Sequence, residues 1–332
     1  MERLKPAGRA LDENLGYQTL CVSGIGTFGA VFKVQDDKGE VYAIKKVWLN
    51  PRFKNRESQI TPLLAHPNCL HCYKSFITNE GPNRDAYFHL VTDFLPEDLE
   101  KLASVKSPID MRFVKIFGYQ LFAGLCYLHH FGLCHRDIKP SNVLIDQNDG
   151  RCQLCDFGSA KFLVENVKNV SYIATRSYRG PELILDCKTY NTKIDVWSAG
   201  CVLAELVLHT ILFNGTKGEE VLERITGIIG MPKIGDLDTF QHNLPLIFIG
   251  PRYTKLQNEF PPDTDPEFLD LLNHIFVWNV NNRYSAADCM RHPFFKDVWN
   301  LKLPNGNDLP EYFHKMKTPE EMFENFPDGP HE

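Results

Sequence analysis

The spacing of apolar and polar residues changes along the chain and divides it into two parts. Between residues 17 and 49 the two kinds of residue alternate around several glycines and a turn at 37–39, which predicts three antiparallel strands. From Met111 onward apolar residues recur at helical spacing, most clearly over 113–128 and 196–208. We therefore predict an α+β protein in which a small antiparallel sheet precedes a larger, mainly helical part.

Weaker patterns complete this outline of two lobes. Residues 52–64 predict the main helix of the first lobe, which Pro62 should end or kink, and 87–93 predict a buried strand. The tail, rich in Pro, Glu and Asn, is predicted to be an extension with little core of its own. The expected segments are an N-terminal extension (1–16), a two-lobed domain (17–295) with lobes at 17–92 and 98–295 around a hinge at 93–97, and a C-terminal extension (296–332).

Composition and charge limit the classes of partner. The chain has 332 residues, 43% of them hydrophobic, which is enough for a sizeable core, and its formal net charge is -6 at pH 7. With no chain-wide positive field, we expect neither nucleic acid nor a membrane as partner, and any phosphate must bind at a local site. The N-terminal residues lack the apolar run of a signal peptide, and the most apolar stretch, 201–213, is too short to cross a bilayer.

The ten cysteines are scattered along the chain, several of them inside apolar segments. We expect no zinc-type Cys-x-x-Cys site among them. Reduced thiols are typical of proteins in the cytoplasm and nucleus, which are the predicted locations. The expected state is a monomer.

A glycine-rich segment between the first two predicted strands is a candidate for phosphate binding. Gly24, Gly26 and Gly29 stand where a strand turns back, and glycine lets backbone N–H groups approach phosphate oxygens without interference from a Cβ. Alone, such a hairpin is more often only a turn. A dinucleotide-binding fingerprint would need a helix directly after it, whereas a strand follows here.

A lysine in the third predicted strand is the next candidate. Lys45 lies on the strand face that Val41 and Ala43 share, where a charge is unusual unless it is paired. It could instead be a surface lysine whose stem covers apolar neighbours. Glu57, on the following predicted helix, offers a partner that would hold Lys45 against the α- and β-phosphates of a nucleotide.

The strongest local signal is the octet at 135–142, His-Arg-Asp-Ile-Lys-Pro-Ser-Asn, which follows an apolar helix. Asp137 can orient a substrate hydroxyl and accept its proton, Lys139 can neutralise a moving γ-phosphoryl group, and Asn142 can supply an oxygen to Mg²⁺. A charged surface turn could contain some of these residues by chance, but not the whole octet. Asp156, followed by Phe-Gly at the end of an apolar strand, adds a carboxylate that can bridge the metal and the phosphates.

In this order the motifs resemble those of the eukaryotic protein kinase family, and the resemblance covers roughly 17–295. It implies a bilobal protein kinase fold and transfer of the γ-phosphoryl group of ATP, with Mg²⁺, to Ser or Thr of protein substrates. It also implies that Glu182 pairs with Arg283 and that Asp195 braces the backbone of the octet. The implied metal ligands are Asn142 and Asp156. The implied ATP-binding residues are Ser23, Gly24, Ile25, Gly26, Thr27, Phe28, Gly29, Ala30, Val31, Ala43, Lys45, Thr92, Asp93, Leu95, Leu144 and Cys155.

A narrower resemblance is to the glycogen synthase kinase-3 family. It rests on Arg-Phe-Lys-Asn-Arg-Glu at 52–57, on Asp-Phe-Gly-Ser-Ala-Lys at 156–161, and on Asn-Val-Ser-Tyr-Ile at 169–173. It implies that three cations converge on a phosphate already attached to the substrate, four residues C-terminal to the Ser or Thr to be modified. These cations are Arg56, Arg136 and Lys161. Substrates should then be proteins that another kinase has phosphorylated beforehand.

The same resemblance implies an activation-loop phosphosite at Tyr172, modified by the kinase itself, with Arg176 and Arg179 placed to pair with the phosphate. A packed tyrosine is the alternative. The sequence departs from the family pattern nearby, since Ser177 stands where a tyrosine is expected and Gly180 where an alanine is expected.

Further departures concern inhibitor selectivity and regulation. Thr92 stands at the back of the adenine pocket where the family has leucine, which predicts altered inhibitor selectivity with catalysis kept. Residues 1–16 contain no Ser, Thr or Tyr, so the inhibitory N-terminal phosphoserine of animal relatives has no counterpart. Pro62 should shorten the helix that carries Glu57. The insert at 215–262, to which scaffold proteins bind in relatives, matches poorly in its second half, so a scaffold partner is left open.

Two alternatives stay open. A catalytically inactive pseudokinase that acts as a scaffold would lack Lys45, Asp137, Asn142 or Asp156, and all four are present. Another kinase of the cyclin-dependent or mitogen-activated group would lack the preference for phosphorylated substrates, although the Thr-x-Tyr of the mitogen-activated type does not precede Arg176. A P-loop hydrolase would need Gly-x-x-x-x-Gly-Lys-Ser/Thr, which does not occur.

Overall fold

The computed structural model describes residues 11, 15–26, 29–49, 56–80, 84–233, 235–240 and 254–330. Some of the sequence features considered above lie outside these residues. They are most of the N-terminal extension (1–10 and 12–14), Thr27 and Phe28 of the glycine-rich segment, 52–55 of the segment before Glu57, and 241–253 of the insert.

The first lobe is a five-stranded sheet with a short helix beside it. Its elements are β1 (Gln18–Ile25), β2 (Gly29–Gln35), β3 (Val41–Trp48), α1 (Glu57–Ile60), β4 (Cys72–Glu80) and β5 (Asp85–Asp93). The strands follow the spatial order β1-β2-β3-β5-β4, and each neighbouring pair is antiparallel. The three antiparallel strands predicted from the alternation over 17–49 are confirmed.

The two faces of this sheet have different neighbours because side chains alternate along a strand. Phe32 and Ile44 are buried on the inner face, where they join the core of the lobe together with Val91. Val31 is the register partner of Lys45, and residues opposite each other in a sheet share a face. Lys45 is therefore carried on the face opposite to that core.

The helix of the first lobe ends early. Within the described residues α1 covers Glu57–Ile60 and passes into a 3-10 turn at Thr61–Leu63 that contains Pro62. Proline lacks a backbone N–H and its ring clashes with the preceding helical turn, so a regular helix cannot continue through it. The expectation that Pro62 ends the helix is confirmed.

The second lobe is mainly helical and is built around two long helices. Its helices are α2 (Leu99–Ala103), α3 (Met111–His130), α4 (Pro181–Ile184), α5 (Lys193–Leu208), α6 (Gly218–Ile229), α7 (Pro266–Ile275) and α8 (Ala286–Met290). The side chain of Asp110 caps α3 by accepting a hydrogen bond from the backbone N–H of Arg112 at 2.9 Å. Nearly every residue of α5 between Ile194 and Leu206 is buried, as expected of a helix that is apolar all round.

Short strands position the loops that face the first lobe. β6 (Glu97–Asp98), β8 (Val143–Ile145) and β9 (Cys152–Leu154) form one small sheet in that order. β7 (Leu133–Cys134) pairs with β10 (Lys161–Phe162). The octet at 135–142 lies between β7 and β8, and Asp156 lies between β9 and β10, so both are held at the same edge of the lobe.

The C-terminal tail packs on the second lobe. It contains α9 (Pro319–Asn325), and its buried side chains, among them Phe313, Met316 and Met322, belong to the same apolar cluster as α3. The hydroxyl of Tyr119 on α3 donates to the carbonyl of Met316 at 2.6 Å. Among the described residues, no helix combines the length and the apolar character needed to cross a bilayer.

Candidate active site

The predicted lysine–glutamate pair is present. Nζ of Lys45 lies 2.6 Å from Oε1 of Glu57 and 3.5 Å from Oδ1 of Asp156. Burial alone would lower the pKa of Lys45, but the two carboxylates outweigh it and raise that pKa. Lys45 is therefore held as a cation between the N-terminal end of α1 and the loop after β9.

The glycine-rich turn approaches β3 so closely that it needs glycine. The backbone N–H of Gly26 donates to the carbonyl of Gly29 at 2.8 Å, which closes the turn. A Cβ added to Gly29 would lie 2.3 Å from the carbonyl oxygen of Lys46, so no side chain fits there. Ser23, Gly24 and Ile25 belong to exposed β1.

The residues predicted to surround adenine come from both lobes. Ala43 of β3 is the register partner of Thr92 of β5, and both are buried. Leu144 is carried by β8, and the backbone N–H of Cys155 donates to the carbonyl of Asn142 at 3.0 Å. Burial raises the pKa of the Cys155 thiol, which favours a neutral wall for the pocket.

One predicted ATP-binding residue has its side chain outside the cleft. Ala30 is almost fully buried in the core of the first lobe together with Phe32 and Val34. Because β2 alternates, Val31 faces the side of Lys45 and Ala30 faces the opposite side. The side chain of Ala30 therefore cannot line the cleft, and only its backbone can contribute.

Asp137 is surrounded by donors from two segments, its own loop and the segment that follows Tyr172. Nζ of Lys139 lies 3.1 Å from its Oδ2. The side-chain amide of Asn142 donates to the Asp137 carbonyl at 2.8 Å and to Oδ2 at 3.3 Å, which leaves the Asn142 amide oxygen for a metal. The backbone N–H and the hydroxyl of Thr175 both donate to Oδ1 at 2.9 Å. The carboxylate is held in one orientation.

Asp195 braces the loop that carries Asp137, as the family resemblance implies. Its carboxylate accepts hydrogen bonds from the backbone N–H groups of His135 and Arg136, each at 2.8 Å, and lies 3.0 Å from Nε2 of His129. Burial would raise the pKa of Asp195, but the hydrogen bonds and charge around it lower that pKa. The bracing matters because Arg136 has a φ of 67, in the left-handed region.

Asp156 and Asn142 offer the oxygens that a hard divalent cation prefers. The backbone of Asp156 is left-handed, with φ 60, and the following Phe157 is fully buried against the ring of His135. Burial would raise the pKa of Asp156, but Lys45 outweighs it and lowers the pKa. An ionised carboxylate and an amide oxygen fit a magnesium-type ligand set.

Two of the three predicted priming cations lie on neighbouring segments. Arg136 is buried, and it donates from Nε to the carbonyl of Ser159 at 2.6 Å and from a terminal nitrogen to the hydroxyl of Tyr190 at 3.2 Å. Lys161 is the register partner of Cys134 and donates to Oδ1 of Asn169 at 2.5 Å.

The third predicted priming cation belongs to a different lobe from these two. Arg56 is exposed and lies directly before α1, on the other lobe.

Tyr172 is exposed and flanked by the two arginines that the sequence placed beside it. Its side chain retains 73% of its accessible surface, and the guanidinium of Arg179 lies 4.3 Å from the ring centre. Hydrogen bonds from Arg176 and Arg179 lower the pKa of the Tyr172 hydroxyl. The position suits an anionic group, since two cations already face it.

The predicted ion pair between Glu182 and Arg283 is also present. Two nitrogens of Arg283 donate to the two carboxylate oxygens of Glu182, at 2.5 and 3.0 Å, in the fully buried interior. The guanidinium lies 4.9 Å from the ring centre of Trp197 on α5. The pairing of Glu182 with Arg283 is confirmed.

Sequence reasoning missed several contacts around the site. Thr175 was not singled out, because a lone threonine after Tyr172 carries no motif. Gln153 of β9 donates to the hinge carboxylate of Asp93 at 2.8 Å, and Tyr73 of β4 donates to the same carboxylate at 2.7 Å. Lys46 of β3 is fully buried and pairs with Glu80 at 2.5 Å. The sequence signal for this pair was a charged residue at a position of β3 that faces the core.

Spacings typical of metal sites also occur among residues that do not belong to the proposed magnesium ligands. Two Cys-x-x-Cys pairs, Cys69 with Cys72 and Cys152 with Cys155, escaped the sequence analysis, and all four thiols are free. Among the described residues, the one group of three potential ligands is Asp270, His274 and His292. Nδ1 of His292 accepts a hydrogen bond from the backbone N–H of Phe294, so Nε2 carries the proton and donates to Asp270 at 3.0 Å. This histidine acts as a helix cap.

Comparison with known proteins agrees with this geometry. The family model described as "Protein kinase domain" matches residues 17–295. A protein from Pyricularia oryzae named "Glycogen synthase kinase 1" is 41% identical over 320 residues, which cover 90% of this chain and 80% of that relative. The bilobal fold, the antiparallel sheet and the order of the motifs agree with both. The chain belongs to the protein kinase family, among the serine/threonine kinases that are similar to glycogen synthase kinase.

Proposed function

We propose that this protein kinase transfers the γ-phosphoryl group of Mg-ATP to serine or threonine of protein substrates and prefers substrates that already carry a phosphate four residues C-terminal. The observation that supports the catalytic part most directly is the environment of Asp137. Its Oδ1 accepts two hydrogen bonds from Thr175, and its Oδ2 lies 3.1 Å from Lys139. A carboxylate fixed in this way can orient a substrate hydroxyl and accept its proton.

In the proposed step, the substrate oxygen forms a bond to the γ-phosphorus, the bond to the β-bridging oxygen breaks, and ADP leaves with that electron pair. The proton of the substrate hydroxyl passes to Asp137. Lys139 neutralises charge on the moving phosphoryl group, and Lys45, paired with Glu57 at 2.6 Å, holds the α- and β-phosphates.

The residues present fit Mg²⁺. Asp156 supplies an ionised carboxylate, and Asn142 has its amide oxygen free because its amide nitrogen donates to Asp137. The ion, when bound, would neutralise charge on the β- and γ-phosphates. The residues themselves orient the phosphates between the glycine-rich turn and the loop after β9.

Adenine binding is proposed at the junction of the lobes. The backbone of Asp93 and Leu95 would bond to the base, with Ala43 and Leu144 above and below it. The carboxylate of Asp93 is occupied by Tyr73 and Gln153, so its side chain is not available to the nucleotide.

The preference for phosphorylated substrates rests on Arg136 and Lys161. Within the described residues neither forms an ion pair with a carboxylate, and their hydrogen-bond partners are neutral oxygens of Ser159, Tyr190 and Asn169. Two neighbouring cations without a counter-ion favour binding of a dianion. Arg56 would complete the pocket from the first lobe.

The test is phosphoryl transfer from labelled ATP to matched peptides with and without a phosphoserine four residues after the target serine. We expect kcat/KM for the phosphorylated peptide to be higher by at least about tenfold, which corresponds to one charge-assisted contact. Lys161→Gln should remove most of that difference while leaving the rate on the unphosphorylated peptide nearly unchanged. Equal kcat/KM values for the two peptides in the unaltered enzyme would favour a kinase of the cyclin-dependent or mitogen-activated group without this preference.

The control for catalysis is Asp137→Asn, which keeps the size of the side chain but replaces one acceptor oxygen by an NH2 group and removes the charge. General-base catalysis contributes roughly 10² to 10⁴ in rate, so we expect a loss in that range. Undetectable transfer by the unaltered protein to both peptides would support the pseudokinase scaffold instead.

A further inference from the structure

The helix that carries Glu57 is too short to hold its own position. α1 covers Glu57–Ile60, which is about one helical turn, and isolated helices of this length are unstable in water. Glu57 is the first residue of this turn. The position of its carboxylate against Lys45 must therefore come from what packs around the turn and around the loop that follows it.

The loop after α1 is attached to α3 of the second lobe through Tyr127 and through Gln120, whose Oε1 accepts from Nδ2 of Asn68 at 2.9 Å. The backbone N–H of Ala65 donates to the hydroxyl of Tyr127 at 2.9 Å. Upstream of this contact, Ile60 and Leu64 are buried in the apolar cluster of the second lobe. The segment from Glu57 to Ala65 is thus fixed to the second lobe at several points.

The C-terminal tail accepts a hydrogen bond from the same hydroxyl. Tyr127 donates to the backbone carbonyl of Asp328 at 2.9 Å, so its single proton and one lone pair are both engaged. The loop and the tail are therefore joined through one atom of α3. Loss of the tail contact would leave the proton of this hydroxyl without its acceptor.

The side chain of His66 reinforces the junction. Its ring is buried and stacks on Tyr127, with the ring centres 4.8 Å apart and an angle of 24°. Phe326 of the tail meets the same ring edge-on at 5.3 Å. An aromatic pair of this kind contributes about 0.5–1.5 kcal/mol beyond the area that it buries.

The tail lies so close to α3 at this point that it needs a glycine. A Cβ added to Gly329 would lie 2.0–2.5 Å from ring atoms of Phe131, and the next residue, Pro330, is buried. Phe131 in turn packs on Tyr127 at 5.3 Å. The tail is fitted to this surface.

We propose that the tail segment 326–330 is an intramolecular clamp that holds the loop after α1 and thereby keeps Glu57 against Lys45. The clamp acts through other groups, so Phe326, Gly329 and Tyr127 are positioning residues. The inference rests on the proposed role of the Lys45–Glu57 pair in ATP binding.

The central variant is Phe326→Ala in the full chain, and Phe323→Ala is its matched control. Both rings belong to the same part of the tail and are half-buried, but Phe323 packs on His130 with ring centres 4.2 Å apart and does not meet the loop after α1. Gly329→Ala, which should displace the tail from Phe131, is a second variant with the same expected effect as Phe326→Ala. The readouts are kcat and KM for ATP and the hydrogen-exchange rate of the Ala65 amide.

We expect Phe326→Ala and Gly329→Ala to lower kcat/KM for ATP about fivefold to twentyfold and to accelerate exchange at Ala65 about tenfold. Phe323→Ala should lower the melting temperature by a similar amount but leave both readouts within about twofold. Combined with Glu57→Gln, Phe326→Ala should cause little further loss, because the residue through which the clamp acts is already missing.

The outcomes separate the clamp from the function on which it rests. Unchanged kcat/KM in both tail variants, or an undiminished loss in the Glu57→Gln background, would overturn the clamp while leaving the kinase assignment intact. Full activity of Glu57→Gln would instead remove the proposed role of the Lys45–Glu57 pair, and with it the route from tail to active site. Exchange at Ala65 would then still report whether the tail holds the loop.

Discussion

The backbone N–H and the hydroxyl of Thr175 both reach Oδ1 of Asp137, each at 2.9 Å. Thr175 belongs to the segment that follows Tyr172, so the activation segment is bonded directly to the proposed catalytic carboxylate. The orientation of Asp137 therefore depends on the conformation of a segment that is distant from it in the sequence.

Replacement of Thr175 should show how much its hydroxyl contributes to catalysis apart from its backbone N–H. Thr175→Val keeps the shape and the backbone N–H but removes the hydroxyl, and we expect kcat to fall about tenfold, since a hydrogen bond to a charged group is worth about 1.5–3 kcal/mol and one of the two remains. Thr175→Ser is the control and should retain most of the activity. Equal rates for the valine and serine variants would show that the hydroxyl does not position Asp137.

Tyr172 should become phosphorylated when the purified protein is incubated with ATP and Mg²⁺. Its side chain is exposed, and Arg176 and Arg179 already face it, so the added charge would form new ion pairs there. Peptide mapping by mass spectrometry checks this, and Tyr172→Phe should lower the rate of peptide phosphorylation. Phosphate on Tyr172 in the Asp137→Asn protein would mean that another kinase adds it.

Thr92 should decide which inhibitors bind. It is buried at the back of the predicted adenine pocket, and its hydroxyl donates to the carbonyl of Asp93 at 3.2 Å. Thr92→Leu should weaken inhibitors that extend past this side chain by about tenfold or more, equal to about 1.4 kcal/mol, and leave kcat nearly unchanged. The measurement is the dissociation constant of a compact and of an extended adenine analogue for the unaltered protein and for Thr92→Leu. An equal change for both analogues would contradict the prediction.

Glu182 and Arg283 should contribute strongly to stability because neither is exposed. Arg283→Met leaves the Glu182 carboxylate buried without its partner, and we expect the free energy of unfolding to fall by about 3–5 kcal/mol. The double variant with Glu182→Leu should recover part of the loss. Arg291→Met, which breaks the exposed pair with Glu320, is the control and should change urea-induced unfolding far less.

His66 should make the protein sensitive to acid. Burial lowers the pKa of His66 from 6.5 to about 3, so between these pH values the unfolded chain binds a proton that the folded chain does not. Folding stability is then lost as the pH falls below 6.5, by up to about 1.4 kcal/mol per pH unit.

The measurement is the free energy of unfolding in urea between pH 5 and 7 for the unaltered protein and for His66→Phe, which keeps a flat ring without a titrating group. The variant should show the shallower dependence on pH. The same substitution at the exposed His314 should leave the slope as it was. Identical slopes for His66→Phe and the unaltered protein would show that the histidine is not buried in its neutral form.

Much of the site was accessible from the sequence because its chemistry uses particular residue types in a particular order. Lys45, Asp137, Asn142 and Asp156 each stand in a local motif, and the alternation of β3 already placed Lys45 on the face of Val41 and Ala43, where a charge needs a partner. Ala30 also lies in the glycine-rich segment, but the structure adds that its side chain faces the core of the lobe.

The contacts that escaped prediction join residues far apart in the chain. Thr175 meets Asp137, Gln153 meets Asp93, and Phe326 meets His66, and none of these pairs stands in a common local motif. The tail is the clearest case, because Met322, Phe323 and Phe326 follow helical spacing but that spacing does not indicate the surface on which they dock.

By itself the sequence determined the two-lobed α+β architecture, the kinase chemistry and the charged residues that carry it, because periodicity and motif spacing are local properties of a chain. Only the tertiary structure decided how these groups are held. In the folded chain, Asp137 accepts a hydrogen bond from the Thr175 hydroxyl. Glu57 lies on a single helical turn, and Tyr127, which contacts the loop after that turn, also donates to the tail. Such contacts depend on how α3, the activation segment and the tail pack together, and packing of distant segments leaves no periodic signal in the sequence.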